Sequence, residues 1–64
     1  MKDFRGRRIR IGRPIVWASH GGLKEGAVYD MKDGELFVVN DRGYVRKVDP
    51  KNTLMLLGVD YADL

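Results

Sequence analysis

Arginine fills four of the six positions from Arg5 to Arg10, and Lys2 and Arg13 extend the run, so residues 1–13 carry a charge of +5 against the single acid Asp3. That density exceeds what solubility requires. Its chemistry is electrostatic, because guanidinium groups neutralise phosphates and release their counterions. A second basic group, Arg42, Arg46 and Lys47, surrounds Tyr44. Trp17, Tyr29 and Tyr44 supply flat π surfaces on which bases can stack. Arg5, Arg7, Arg8, Arg10, Trp17, Tyr29, Arg42, Tyr44, Arg46 and Lys47 are therefore the candidate binding residues, for nucleic acid or for another partner. The competing reading makes Trp17 the main core aromatic and the basic residues a solvated surface.

Other chemistries find little material. With no cysteine in the chain, thiol catalysis, thiolate metal sites and disulfides are excluded together. His20 is the only histidine and has no evident catalytic partner, and beside Gly21 and Gly22 it reads as a turn residue. Gly21-Gly22 has no helix start after it, which a phosphate cradle of that kind needs. Asp30, Asp33 and Glu35 cluster as a cation site would, but turn chemistry explains them equally well. No nucleophile with its base, acid pair in a cleft, metal site or cofactor motif emerges. The expectation is a non-enzymatic protein without a cofactor.

The elements that must position these residues are short. Sixty-four residues bury only about 60% of their unfolded surface, which allows one small core. No apolar run reaches the ~20 residues of a membrane span, and no signal-peptide pattern follows the basic start. These features suggest a cytoplasmic protein that makes no use of membranes. Residues 14–57 balance six basic against six acidic side chains, and residues 58–64 add Asp60 and Asp63. The expected organisation is a basic arm or short strand over 1–13, a neutral body over 14–57 and an acidic tail over 58–64.

Turn chemistry divides the body. Asp33-Gly34 suits a two-residue hairpin, and Asp41-Arg42-Gly43 a three-residue loop closed by a left-handed glycine. Strands are expected over Pro14–Ser19, Leu23–Lys32, Glu35–Asn40, Tyr44–Val48 and Thr53–Leu57, with Gly26 marking a bend or bulge in the second. Asp49-Pro50-Lys51-Asn52 reads as one capped turn of 3₁₀ helix. The expected core is Val16, Ala18, Val28, Phe37, Val39, Val48, Leu54 and Leu56, with Leu36 and Val38 as the alternative to Phe37 and Val39.

Five short antiparallel strands with one 3₁₀ turn before the last is the order of small SH3-like barrels. Phe37-x-Val39-x-Asp41-x-Gly43, followed by Val48 and Asp49, resembles the Tudor pattern. Gly22-Leu-Lys-Glu-Gly-Ala-Val28 resembles the glycine-rich KOW loop leading into a Gly-x-Val strand. The resemblance covers residues 14–57 and implies a divergent relative, of the kind phages and mobile elements encode. Arg42 stands where methyl-reading Tudor domains carry an aromatic, which argues against an aromatic cage. The all-β barrel so implied would bind RNA or DNA in transcription or translation. The alternative is a protein–protein adaptor, for example a phage-type protein that modulates a host factor. A small core also leaves room for a homo-oligomer.

Overall fold

The computed structural model describes residues 1–56; the acidic tail expected over 58–64, and Leu57 at the end of the expected fifth strand, lie outside the described residues. It is all-β, with five antiparallel strands in one sheet: β1 Pro14–Ser19, β2 Gly22–Lys32, β3 Glu35–Val39, β4 Val45–Val48 and β5 Thr53–Met55, in the order β4-β3-β2-β1-β5. The sheet is not closed, since no ladder joins β4 to β5 among the described residues. The only helix described is the 3₁₀ turn Pro50–Asn52, where Asp49 accepts from the Lys51 N–H at 3.0 Å and Pro50 opens the turn.

Tight turns set the registers. His20 and Gly21 join Ser19 to Gly22, so Trp17 lies opposite Lys24 and Ile15 opposite Gly26. Asp33 and Gly34 both take positive φ, 54° and 79°, as a type I′ hairpin requires. β2 is long because it serves two partners. Its residues 22–27 pair with β1 and its residues 27–32 with β3, the two ladders meeting at Ala27. At that point no side chain would fit on Gly26. A Cβ there would run into the Val39 carbonyl oxygen and come within 3.1 Å of Trp17 Cη2. Gly26 is thus a point of close approach, and the bulge expected there lies instead between Val28 and Asp30, with Tyr29 the extra residue.

The core is Ile9, Ile15, Trp17, Val28, Leu36, Val38 and Met55, with Met31 and Val48 packed against it. Of the expected core, Val28 is buried and Val48 packs alongside, but the rest of the register is inverted. Phe37, Val39, Val16 and Leu56 are half-buried, and Ala18 and Leu54 are exposed. The side-chain period of two explains the scale of the change, because a shift of one residue moves a whole strand's set to the other face.

Residues 1–13 form no strand beyond a single bridge between Lys2 and Arg8. They form a loop whose first turn docks along β5 and whose end, Gly12 and Arg13, bonds to Val28 of β2. The Leu56 N–H donates to the Pro14 carbonyl at 3.2 Å, so Leu54 and Leu56 turn their backbone groups toward β1 while Thr53 and Met55 turn theirs outward. Those outward groups are met by the loop. The Phe4 N–H donates to the Thr53 carbonyl at 2.8 Å, and the Met55 N–H donates to Asp3 Oδ2 at 2.7 Å. Ile9 then inserts into the core.

Candidate nucleic-acid interface

The β3–β4 connection holds most of the site. Asn40 organises it: its side-chain oxygen accepts from the N–H groups of Arg42 and Tyr44 at 2.9 and 3.0 Å. Its backbone N–H donates to the Tyr44 carbonyl, and its carbonyl accepts from Gly43, each at 3.0 Å. Gly43 takes φ 85°, the left-handed conformation expected at the end of this three-residue loop. Tyr44 is 70% exposed in this tightly bonded setting, and Arg46 follows two residues later. Arg46 lies opposite Val38, so its side chain leaves β4 on the core side of the sheet.

Facing this hairpin is the first half of β2. Between them lies a groove of about 600 Å³ lined by Trp17, Lys24, Glu25, Asn40, Asp41, Arg42, Tyr44, Val45 and Arg46. Trp17 is only 4% exposed and belongs to the core cluster, so it serves as core and groove floor at once. Its indole N–H is buried and has no acceptor. Three cations, Lys24, Arg42 and Arg46, share the groove with two carboxylates, Glu25 and Asp41.

Trp17, Arg42, Tyr44 and Arg46 are therefore brought together, and the other candidates are not. Lys47 leaves β4 on the opposite face from Arg46, and its ammonium pairs with Glu35 at 2.9 Å. The Glu35 hydrogen bond and charge raise the Lys47 pKa. Tyr29 is exposed at the bulge and lies outside the groove lining. Arg5, Arg7, Arg8 and Arg10 belong to the loop docked on β5, the edge of the sheet opposite to β4.

That loop is fixed by Asp3, which the sequence reading passed over. Asp3 is 6% exposed, and its Oδ1 accepts from the Arg5 and Arg7 N–H groups at 2.9 and 2.8 Å. Burial pushes its carboxyl pKa up, but the N–H groups of Met55, Arg7 and Arg5 and the Arg7 charge outweigh that and hold it below its ordinary value. The available signal was an Asp three residues before Gly6, the pattern of a β-turn with a side-chain acceptor. Lys24 was also missed; reading His20-Gly21 as a two-residue turn places it opposite Trp17.

Two of the three hairpin carboxylates have local partners. Asp30 accepts from the Met31 N–H at 2.8 Å and Glu35 from Lys47. Among the described residues no three His, Asp or Glu side chains gather as an ion site would require, and no helix is long and apolar enough to cross a membrane. No family model matches the chain, and comparison with curated proteins and with solved structures finds no match.

Proposed function

We propose that this protein is a non-enzymatic nucleic-acid-binding domain and that the groove between the β1–β2 and β3–β4 hairpins is its binding surface. The observation that carries the proposal is the row Arg42-Tyr44-Arg46. An exposed aromatic stands between two arginines on a braced hairpin, beside Lys24 and above Trp17. A base on Tyr44 would leave Arg42, in the turn before it, and Arg46, on β4 after it, for the flanking phosphates. The strand order and the 3₁₀ turn before β5 support assignment to the SH3-like barrels of KOW or Tudor type, and a role in transcription or translation suits such a domain.

The test is binding of labelled RNA and DNA oligonucleotides across a salt series. Three cations on a single strand give a log–log slope of about −2. Replacing Arg42 and Arg46 by alanine should bring the slope to about −0.7, whereas replacing Arg5 and Arg8 should change it less. Absence of binding at low salt would remove the proposal.

One observation favours the adaptor reading instead. The face of the sheet opposite the core carries Pro14, Ala27, Val39 and Val45 in register across four strands, with Leu56 alongside. Such an apolar row suits a protein surface better than a polyanion. If that reading holds, oligonucleotides bind negligibly, and substituting charge at Val39, which lies outside the groove lining, abolishes association with the protein partner.

A further inference from the structure

We infer that the groove selects an unpaired strand over a duplex, with one base stacked on Tyr44 and the adjacent phosphates held by Arg42 and Arg46. This rests on the nucleic-acid reading above and specifies which form of nucleic acid the site takes. Three features of the groove carry it.

The first is the aromatic. Tyr44 is 70% exposed, yet its backbone is tied on both sides to Asn40, through the Tyr44 N–H to Asn40 Oδ1 and the Asn40 N–H to the Tyr44 carbonyl. The ring is thus presented at little ordering cost on binding. A stacking platform is useful only to a base whose face is accessible. In a duplex both faces of each internal base are already covered by neighbours.

The second feature is charge. Glu25 and Asp41 stand in the same groove as Lys24, Arg42 and Arg46. Duplex DNA carries about one negative charge per 1.7 Å of axis, and that density brings phosphates against both carboxylates whenever it engages the arginines. A single strand has half the charge density and can direct its base edges toward the acids, which accept hydrogen bonds from amino groups.

The third is shape. The recess is about 600 Å³ and ends on a buried Trp17. Its walls are two hairpins, and among the described residues the one helix is the 3₁₀ turn Pro50–Asn52, too short to read a major groove. A splayed base fits such a recess, while a duplex would rest on its rim.

Fluorescence anisotropy with a labelled single strand of about 12 nucleotides and the matching duplex tests this at about 0.1 M salt, where screening is moderate. Wild-type protein should bind the single strand at least about tenfold more tightly than the duplex. Tyr44→Ala should weaken single-strand binding roughly 5- to 100-fold and leave duplex binding unchanged, while Tyr44→Phe should retain the wild-type preference. Tyr44 is exposed, and an unchanged amide spectrum will show that the variants fold. Equal affinity for both forms, or equal loss for both on Tyr44→Ala, would overturn the inference and leave the nucleic-acid reading standing. No binding of either form, even at low salt, would overturn both.

Discussion

Three positions, Asp3, Gly26 and Trp17, show how single residues set the stability of this small sheet. Asp3 is a carboxylate that serves as a strand partner, taking the Met55 N–H on one oxygen and two loop N–H groups on the other. Its pKa is held below the ordinary value, so its charged form stabilises the fold fully above the unfolded value of about 3.9. That contribution is lost as pH falls through the lower folded value. Acid titration of stability should therefore show a decline below about pH 4 that is absent in Asp3→Asn. The same substitution should cost about 1–3 kcal/mol at neutral pH, because one amide orientation or the other sets an NH₂ against a backbone donor. Gly26→Ala should be costly for a different reason. The backbone carbonyl of Val39 cannot swing aside as a flexible side chain could, and overpacking of this kind costs about 1–3 kcal/mol. Trp17 gives the contrasting case. Its buried indole N–H has no acceptor, so Trp17→Phe loses no hydrogen bond and removes an unsatisfied donor, and should cost much less than Trp17→Ala through the smaller cavity it leaves. Trp17→Ala, which empties the floor, should cost about 3–5 kcal/mol. Denaturant midpoints of the four variants test these statements together.

At the scale of elements, the bulge at Tyr29 governs the register of the sheet. Counted from the Asp33-Gly34 turn without interruption, Val28 would face Val39. With Tyr29 as an extra residue it faces Val38 instead, and Leu36 and Val38 enter the core in place of Phe37 and Val39. The strands and turns were legible because Asp33-Gly34, Gly43 and Asp49-Pro50 each need a specific backbone conformation. The face was not legible, because Leu36-Phe37-Val38-Val39 and Ile15-Val16-Trp17-Ala18 are apolar on both sides and offer no alternation to read. Gly26 signalled a special position correctly, but a glycine alone does not distinguish a bulge from a close approach. Part of the site was readable in the same way. Arg42, Tyr44 and Arg46 belong to one hairpin, whereas pairing that hairpin with Trp17 and Lys24 depends on how β2 divides between two ladders. Gly43 offers a check on the loop itself. Nothing lies within 4 Å of a Cβ added there, so Gly43→Ala should cost only the left-handed backbone penalty, about 1 kcal/mol. A larger loss in thermal unfolding would mean that the Asn40-centred loop is wrongly described.

Across the whole molecule, the two edges of the sheet are treated differently. The β5 edge is closed by residues 1–9, whose Phe4 N–H and Asp3 carboxylate take the outward backbone groups of Thr53 and Met55. Removing residues 1–8 should therefore uncover a strand edge as well as a basic segment, and the truncated protein should self-associate on a sizing column. The arginine loop consequently has a structural part to play through its backbone, whatever its guanidinium groups engage. The proposed binding lies in the groove where the β3–β4 hairpin faces Lys24 and Trp17. An amide-resolved titration with a short single-stranded oligonucleotide tests that placement most directly. Binding in the groove predicts saturable shifts at Lys24, Arg42, Tyr44, Arg46 and the Trp17 indole N–H, with residues 1–10 little affected. Shifts confined to Arg5–Arg10, or to Pro14, Ala27 and Val39 on the other face, would contradict it.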